Sequence, residues 1–469
     1  MPKRSREEDE DGLRSILLAV KALAGDAQLW KALYYERISK WLDDDHLVRR
    51  GRATDWKRQY KLRHNWSRGS ARVSETQVAE QPSTPPLLLR LRDNTVVTVD
   101  DGTLKAWNLK CNEPSDRVMA STALCQSKAT SLAIDDNNSL QAHHVDIAIG
   151  FDNGSFAIYT LNRNERVFAL RYQHPPSRNG GIHAIAYASP YLLTMTGTPL
   201  LSLYRFDHDG SDIIKKPIQA PSLLSSLRSH TAYPPISLAI RAASNSIVAS
   251  IAYAMPTWTF GWSVGLQELR LTADGVILES RMASACSKSF APPLLHSQLR
   301  INGPRIPSIT KPTSMSYNHP YLLSAHSDNT LTLYMVTSNA EELSIGAAER
   351  LWGHTNGVSA AHVGDRGKAV SVSALGNELR VWELEGGVSS SSTRRRAAAG
   401  EASVRVRPER KRRLSSSAVP PASSLQQDFE EAFEETNVTK GWVAFDEEKV
   451  VLLREKMQGA QALVVYDFS

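Results

Sequence analysis

Two stretches 130 residues apart decide the fold: SPYLLTMTGTPLLSLYRF (Ser189 to Phe206) and HPYLLSAHSDNTLTLYMV (His319 to Val336). Both begin with x-Pro-Tyr-Leu-Leu, and both contain Leu-x-Leu-Tyr just before their last two residues. This pattern is typical of an apolar strand, a polar turn and a second strand with alternating apolar residues. The recurrence indicates that one structural unit is used more than once along the chain.

Seven units with this order of strand, turn and strand can be counted. They end near residues 109, 161, 206, 271, 336, 384 and 468. A blade of four strands cannot bury both of its faces alone, so neighbouring blades must stack, and a ring of seven leaves only short free edges. We therefore predict an all-β, seven-bladed β-propeller over residues 69–469. Its ring should close by pairing of Ala71 to Val78 beside Ala462 to Tyr466.

Three units place a turn residue six positions before an aromatic residue in the next strand, namely Asp101–Trp107, Asn153–Tyr159 and Asp328–Tyr334. This spacing resembles the blade of WD-repeat proteins. In that family the turn Asp and the strand-end aromatic belong to a hydrogen-bonded set whose histidine comes from an upstream Gly-His dipeptide. Here the dipeptide occurs as Gly353-His354, in the unit that ends with Trp382. Gly376 takes the place of the turn Asp there, so we expect divergent blades without the full set.

The segment before the propeller has aromatic residues at helical spacing. In LWKALYYERISKW the large apolar residues lie three or four apart, which predicts an amphipathic helix. It is followed by WKRQYKLRHNWSRGS, Trp56 to Ser70. Together they resemble the end of an F-box and the connecting segment of F-box/WD-repeat proteins, where a Trp-Lys-x-x-Tyr helix and an Asn-Trp-x-x-Gly motif lead into the propeller.

The resemblance implies roles for residues on both sides of this connection. Trp56, Tyr60 and Trp66 are expected to be packing anchors, with Lys57, Arg58, Lys61 and Arg63 on the solvated side. Leu29, Trp30 and Leu33 are expected to contact the Skp adaptor of a cullin-RING ligase. The leucine-proline opening of an F-box is missing before Leu13, which indicates either a diverged motif or a missing exon. We therefore assign residues 1–12 to a disordered charged terminus and 13–68 to a helical partial F-box and linker.

Most of the positive charge is concentrated in one insertion. The stretch Arg394 to Arg413 holds nine Lys/Arg against Glu401 and Glu409, a net of +7, and the whole chain carries +6. Subtraction leaves about −1 for the remainder, so nucleic acid is an unlikely partner. The insertion, at about 385–437, also has serine runs and the acidic QQDFEEAFEETN, and we predict it to be disordered. The insertion contains two candidate functional sites. One is a nuclear-import signal at Arg410, Lys411, Arg412 and Arg413, and the other is a phosphorylation site at Ser415.

Several classes of function are not supported by the sequence. Cys111, Cys125 and Cys286 have no CxxC spacing, no apolar run approaches about 18 residues, and neither a phosphate-binding GxxxxGK[ST] nor a GxSxG motif occurs. Aspartates in turns are expected for turn hydrogen bonds, and a lone His354 is expected to be structural. We predict no catalysis, no cofactor, no metal and no membrane insertion.

The resemblance implies a substrate-recruiting adaptor subunit of an SCF-type ubiquitin ligase. Its partners would be a Skp-type adaptor, a cullin and an unknown protein substrate bound on the propeller, in the nucleus or cytoplasm. The alternative is a nuclear WD-repeat scaffold without a ligase link, which assembles protein or ribonucleoprotein complexes.

Overall fold

The structure is a computed structural model of the 469-residue chain. It describes residues 26, 28–31, 55–81, 86–100, 102–110, 117–124, 127–135, 143–206, 219–228, 232–243, 246–257, 261–272, 275–285, 310–364, 367–384, 403–408, 442–455 and 459–469. Helix α1 (Trp56–Arg68) directly precedes the thirty described strands, which form seven antiparallel blades.

Blades 1 to 4 each contain four strands in chain order, numbered from the innermost strand outward. Blade 1 consists of β2 (Leu88–Arg92), β3 (Thr95–Asp100), β4 (Thr103–Asn108) and β5 (Val118–Ala123). Blade 2 consists of β6 (Ala129–Ile134), β7 (His144–Phe151), β8 (Phe156–Asn162) and β9 (Val167–Gln173). Blade 3 consists of β10 (Ile182–Ala188), β11 (Tyr191–Thr196), β12 (Leu200–Arg205) and β13 (Ser222–Arg228). Blade 4 consists of β14 (Tyr233–Ala243), β15 (Ser246–Pro256), β16 (Trp262–Leu271) and β17 (Ile277–Ser284).

Blades 5 to 7 depart from this plan at their outer strands. Blade 5 consists of β18 (Ser314–Asn318), β19 (Tyr321–Ala325), β20 (Leu331–Ser338) and two short strands that both pair with β20, β21 (Leu343–Ile345) and β22 (Glu349–Leu351). Blade 6 consists of β23 (Val358–Val363), β24 (Lys368–Ser373), β25 (Leu379–Glu383) and β26 (Ser403–Arg405). Blade 7 consists of β28 (Val443–Phe445), β29 (Lys449–Glu455), β30 (Gln461–Asp467), β1 (Ser70–Ala79) and β27 (Arg407–Pro408).

The predicted seven-bladed propeller is confirmed. The third strands of the blades end at 108, 162, 205, 271, 338, 383 and 467, close to the unit ends expected from the sequence. Each innermost strand contacts the innermost strands of both neighbouring blades, from β2 round to β28 and back to β2, so the ring is closed.

The predicted ring closure is also confirmed. Strand β1 pairs antiparallel with β30, with Arg72 opposite Asp467 and Gln77 opposite Ala462. The first strand of the propeller thus supplies the outer strand of its last blade, so the two ends of the propeller are hydrogen-bonded to each other.

The buried apolar residues form seven clusters, one between each pair of neighbouring blades. Strand β20 shows how one strand serves two of them. Its Leu331 and Leu333 face blade 6, whereas Tyr334 and Val336 face blade 4, because successive side chains of a strand point to opposite faces. Since both faces are covered, the central strands are almost continuously apolar.

Residues 403–408 correct one expectation from the sequence. They lie inside the segment 385–437, which we predicted to be disordered, but they form β26 and β27. Strand β26 completes blade 6, and β27 pairs in parallel with β1 of blade 7. The physical reason is that the third strand of blade 6 needs a fourth strand to cover its edge, and Ser-Val-Arg supplies it despite the basic composition. The rest of that segment lies outside the described residues.

No helix within the described ranges is long and apolar enough to cross a membrane.

Candidate partner-binding surfaces

The ring has two faces, defined here by the turns that they carry. The lower face carries the turns between the first and second strands of each blade, such as residues 446–448 of blade 7, and it also carries α1. The upper face carries the turns between the second and third strands and the connections between blades. The residues expected to bind partners are distributed over both faces.

Helix α1 begins and ends with specific capping residues. Asp55 accepts a hydrogen bond from the backbone N–H of Arg58 at 3.1 Å, and Gly69 ends the helix with a φ of 65°. A side chain at position 69 would also collide with the carbonyl of Arg405, so glycine is required on both grounds. The helix buries two side chains, Leu62 and Trp66. It is therefore attached to the propeller along a narrow stripe near its end.

Trp66 is the main anchor of α1. Its ring stacks on Phe468 with centroids 3.9 Å apart, and its Nε1 donates to the carbonyl of Glu447 at 3.0 Å. The ammonium of Lys368, from blade 6, lies 4.5 Å from the centroid of the indole. One residue of α1 thus contacts the lower turns of two blades.

Polar contacts along α1 reach the same part of blade 7. Asn65 Nδ2 donates to the carbonyl of Phe468 at 2.8 Å, and Lys61 Nζ donates to the carbonyl of Ser469 at 3.3 Å. Arg58 forms an ion pair with Glu448. Lys61 and Arg58 were expected only on the solvated side; both are exposed, and both also bind the propeller.

Residues 28–31 lie in a helix that packs on α1. Asp26 accepts from the backbone N–H of Gln28 at 2.8 Å at the start of this turn. The ring of Trp30 lies 5.4 Å from that of Tyr60, and Lys31 Nζ lies 5.5 Å from the ring centroid of Trp56. Trp56 and Tyr60 are half-buried, and these contacts face the segment that precedes α1. Leu29 is exposed, and Leu33 lies outside the described residues.

Blade 6 contains a buried hydrogen-bonded set around Ser371. Its hydroxyl contacts His354 Nε2 at 2.6 Å and accepts from Trp382 Nε1 at 2.8 Å. His354 Nδ1 lies 3.5 Å from Glu378 Oε2. We expected Gly376 to leave this blade without a carboxylate, and that expectation is wrong, because Glu378, two residues later, supplies one.

Hydrogen bonds and burial set the charges in this cluster. Burial lowers the pKa of His354 to about 4, although the neighbouring Glu378 carboxylate acts in the opposite direction. Burial alone would raise the pKa of Glu378, but hydrogen bonds from Thr355 and Arg380 hold it below its ordinary value. Neutral histidine and charged glutamate are both almost fully enclosed, so this arrangement ties strands together and offers no access to a substrate.

Blades 1 and 5 contain parts of the same set. Trp107 Nε1 donates to Thr98 Oγ1 at 2.9 Å, and Thr330 Oγ1 donates to Asp328 Oδ1 at 2.5 Å. Tyr334 is buried, and burial raises its pKa to about 12. His326 Nε2 contacts the hydroxyl of Thr332 at 3.1 Å. The Gly-His pattern does not identify this histidine in the sequence, because no glycine precedes it. Asp101, Arg410 to Arg413 and Ser415 lie outside the described residues.

The upper face of blade 4 has an aromatic group that the sequence did not reveal. The exposed ring of Tyr233 meets Trp262 edge-on, with centroids 6.2 Å apart, and Lys311 Nζ lies 5.1 Å from the Trp262 centroid. These three residues, the upper aromatic site, come from β14, β16 and the residues just before β18. The aromatic richness of PTWTFGW is the signal that could have indicated it.

The exposed charges on the upper face of blades 2 to 4 are mostly positive. Exposed cations occur at the start of β6, in the loop before β10, at the end of β13 and before β18; they are Lys128, Arg178, Arg228 and Lys311. The described residues of this sector include one exposed carboxylate, Asp152. The described part of the chain contains no group of three or more His, Cys, Asp or Glu that could hold a metal ion. These surfaces are suited to binding other macromolecules.

Comparisons with solved structures return other β-propellers. They include the Cps50 (Swd1) propeller domain of Myceliophteria thermophila, with 12% identity, a TM-score of 0.44 and coverage of 85% of this chain and 99% of that one. The WD40 repeats of RRP9 match with 9% identity, a TM-score of 0.41 and coverage of 83% and 99%. Sqt1 of Saccharomyces cerevisiae matches with 8% identity, a TM-score of 0.42 and coverage of 85% and 99%.

No curated protein sequence matches the chain. A sequence model described as the F-box protein pof12 beta-propeller matches residues 71–469, which is the whole propeller. On that match, the chain belongs to the F-box protein pof12 beta-propeller family.

Proposed function

We propose that this protein is the substrate-recruiting subunit of an SCF-type, cullin-RING ubiquitin ligase. The observation that carries the proposal is the anchoring of α1 on the lower face by Trp66, since the same helix holds Trp30 of the preceding segment. Membership in a family of F-box protein propellers supports an adaptor role. The upper face, on the opposite side of the ring, remains available for a protein substrate.

The proposed mechanism is positional. The segment around Leu29, Trp30 and Leu33 binds a Skp-type adaptor, and through it the cullin. The propeller holds the substrate, and α1 fixes the distance between the two. A substrate lysine is thereby kept near the ubiquitin-carrying enzyme, which raises its effective concentration without bond chemistry by this chain.

The upper aromatic site and the surrounding cations form the proposed substrate surface. Tyr233 and Trp262 supply apolar anchors of the kind that dominate binding energy at protein interfaces. Lys128, Arg178, Arg228 and Lys311 supply a positive potential that favours an acidic segment of the substrate. We infer that the recruited protein presents an acidic stretch with an apolar residue close to it.

The adaptor half is tested by co-purification. Wild-type protein should retain a Skp-type adaptor and a cullin, and the double variant Trp30→Ala, Leu33→Ala should lose both. Truncation of two side chains that the adaptor would enclose costs about 2–5 kcal/mol each, which reduces binding by orders of magnitude. The melting temperature of each variant shows whether the propeller is intact.

Variants of the upper face are the matched control. Tyr233→Ala with Lys311→Glu should keep the adaptor and lose most substrate proteins identified by mass spectrometry of the purified complexes. If the wild-type protein never retains the adaptor at micromolar concentration, the ligase proposal is wrong, and a WD-repeat scaffold without a ligase link takes its place.

A further inference from the structure

The outer edge of blade 4 carries a strip of four exposed apolar side chains. Strand β17 pairs with β16 on one side, and no strand among the described residues pairs with its other side. The exposed fractions are 62% for Val276, 39% for Ile277, 56% for Leu278 and 64% for Met282. Edge strands are usually protected by lysine, proline or a covering segment, because an open edge can pair with another strand. Strand β17, ILESRMAS, has neither lysine nor proline.

The backbone of β17 has hydrogen-bonding groups directed away from β16. The N–H of Ala285 donates to the carbonyl of Val264 at 3.0 Å, which fixes the phase of the ladder. Residues 281 and 283 therefore direct their backbone groups toward β16, because hydrogen-bonded and non-hydrogen-bonded pairs alternate in antiparallel sheets. The alternate residues Ser280 and Met282 direct their backbone N–H and C=O groups outward, away from β16.

The sequence of β17 is complementary to itself when two copies run antiparallel about Ser280. In that register Leu278 of one copy lies opposite Met282 of the other, and Glu279 lies opposite Arg281. The outward groups of Ser280 and Met282 meet outward groups in the partner strand, as the hydrogen-bond phase requires. Apolar residues therefore meet apolar residues. Glu279 lies opposite an arginine, Arg281, which is also paired with Glu268 of its own copy.

Charge also excludes the neighbouring registers. Sliding one strand by two residues along the other is the smallest shift that keeps outward groups opposite outward groups. A shift in one direction places Glu279 opposite Glu279, and a shift in the other direction places Arg281 opposite Arg281. Like charges directly opposite each other are destabilising. Within one copy, Glu279 lies 3.7 Å from Arg281 and 4.0 Å from Arg270, so this carboxylate already lies among positive charges.

We propose that two copies of this chain associate through β17, antiparallel and about a two-fold axis at Ser280. The two blade 4 sheets then form one continuous sheet of eight strands, with an interface of the self-complementary kind that closes at two copies. Blade 7 provides a precedent in the same molecule, because its outer strand β1 accepts β27 as an additional strand. A homodimer would present two upper faces to a substrate, whether or not the ligase proposal holds.

Light scattering of the full-length protein tests the proposal. At tens of micromolar, the wild type should have twice the 51.8 kDa mass of the chain. Ser280→Pro removes an outward N–H and leaves the ladder with β16 in place, so it should return the mass to that of a monomer. Ser280→Ala should remain dimeric. The variant Leu278→Lys, Met282→Lys should also be monomeric, whereas Val167→Lys, at an exposed position of β9, should not.

Cross-linking tests the register. Residues in a hydrogen-bonded antiparallel pair have Cα atoms about 5.5 Å apart, which lies within the range for a disulfide. In a background with Cys111, Cys125 and Cys286 replaced by serine, Ser280→Cys should give a covalent dimer on oxidation. Ser226→Cys, exposed on β13, should not.

Three results would overturn the proposal: a monomeric wild type up to about 100 μM, a dimer that both edge variants leave unchanged, or equal cross-linking at positions 280 and 226. Circular dichroism and the melting temperature of each variant show that the propeller is folded. A monomer that captures an extended peptide on β17 would assign the edge to a different protein and would equally contradict a homodimer.

Discussion

The indole of Trp66 stacks on the ring of Phe468, with 3.9 Å between their centroids and 10° between their planes. Trp66 belongs to the helix that precedes the propeller, and Phe468 is the second-last residue of the sequence. Because β1 follows α1 directly and pairs with β30, the contact that anchors the helix lies beside the closure of the ring. Both features share one core cluster, so damage to either should affect the other.

Replacement of Trp66 by alanine should therefore destabilise the propeller as well as release α1. Truncation of a buried tryptophan costs about 3–5 kcal/mol, through lost burial and the cavity left behind. Denaturant titration followed by the circular dichroism of the backbone measures the loss of unfolding free energy. Trp56→Ala is the control: Trp56 is half-buried and its ring contact is with Lys31, so the loss should be smaller. Equal losses would contradict the anchoring role of Trp66.

Deletion of Val464 to Ser469 should open the ring. It removes all four residues of β30 that pair with Arg72 to Glu75 of β1, together with Phe468. Strands β1 and β29 then expose unpaired edges, for which aggregation is expected. Size-exclusion chromatography and thermal unfolding check this. A soluble deletion variant with an unchanged melting temperature would show that pairing of the two ends does not hold the ring closed.

The number of blades and their closure could be predicted from the sequence because both depend on strand periodicity. The repeat of Pro-Tyr-Leu-Leu and Leu-x-Leu-Tyr survives in this chain even though the turn residues have diverged. Residues 403–408 could not be predicted, because their basic, serine-rich surroundings are typical of disorder, whereas their strand structure depends on the uncovered edge of β25.

Side-chain sites were harder to predict than strands. Glu378 was missed because the WD-repeat spacing directs attention to position 376, six residues before Trp382. The upper aromatic site was missed because Tyr233 and Trp262 are separated by 28 intervening residues and meet only when β14 and β16 lie in one blade. Spacing patterns describe one strand or turn, but they do not describe which turns share a face.

Acid should destabilise blade 6 through His354. Burial lowers its pKa to about 4, and the ordinary value in an unfolded chain is about 6.5. Between these values the unfolded chain binds a proton that the folded protein does not, so stability is lost as the pH falls from about 6.5 toward 4. The loss in unfolding free energy should be on the order of 2–3 kcal/mol, because each unit of pKa difference corresponds to about 1.4 kcal/mol. Burial lowers the pKa of His326 as well, which adds a loss of the same sign.

Urea midpoints between pH 7 and pH 4.5 measure this dependence. His354→Gln lowers stability at pH 7, but it removes the titrating group, so its midpoint should fall less steeply with acid than that of the wild type. Parallel curves for the two proteins would contradict the assignment.

Glu268 holds a buried charge network between blades 4 and 5. Its carboxylate lies 3.2 Å from Arg281 Nη2 and 3.7 Å from Arg241 Nη2, and it accepts from Ser338 Oγ at 2.7 Å. Glu268→Gln removes the carboxylate charge shared by Arg241 and Arg281, and it leaves Arg281 with the more exposed Glu279. Breaking a buried pair in this way costs about 3–5 kcal/mol.

Glu279→Gln is the matched control for Glu268→Gln. Glu279 also contacts Arg281, at 3.7 Å, but it is exposed, and surface pairs contribute about 0–1 kcal/mol. Calorimetric unfolding of both variants should therefore differ by several degrees. A Glu268→Gln protein as stable as the control would show that Arg241 and Arg281 find other partners.

The last prediction concerns the basic tract of the insertion, which we propose to be a nuclear-import signal. Replacement of Arg410, Lys411, Arg412 and Arg413 by alanine should move a fluorescent fusion protein from the nucleus to the cytoplasm. Unfolding should be nearly unchanged, because the described strand β27 ends at Pro408, before these residues. Arg394, Arg395 and Arg396 provide the control, since replacing them with alanine removes positive charge from the same insertion but keeps RPERKRR. If both variants leave the nucleus together, net charge and not this motif directs import.

A phosphate on Ser415 adds about −1.5 to −2 charge two residues after the tract. Ser415→Glu should therefore weaken nuclear accumulation relative to Ser415→Ala, and nuclear staining unchanged by the four alanines would overturn the import proposal.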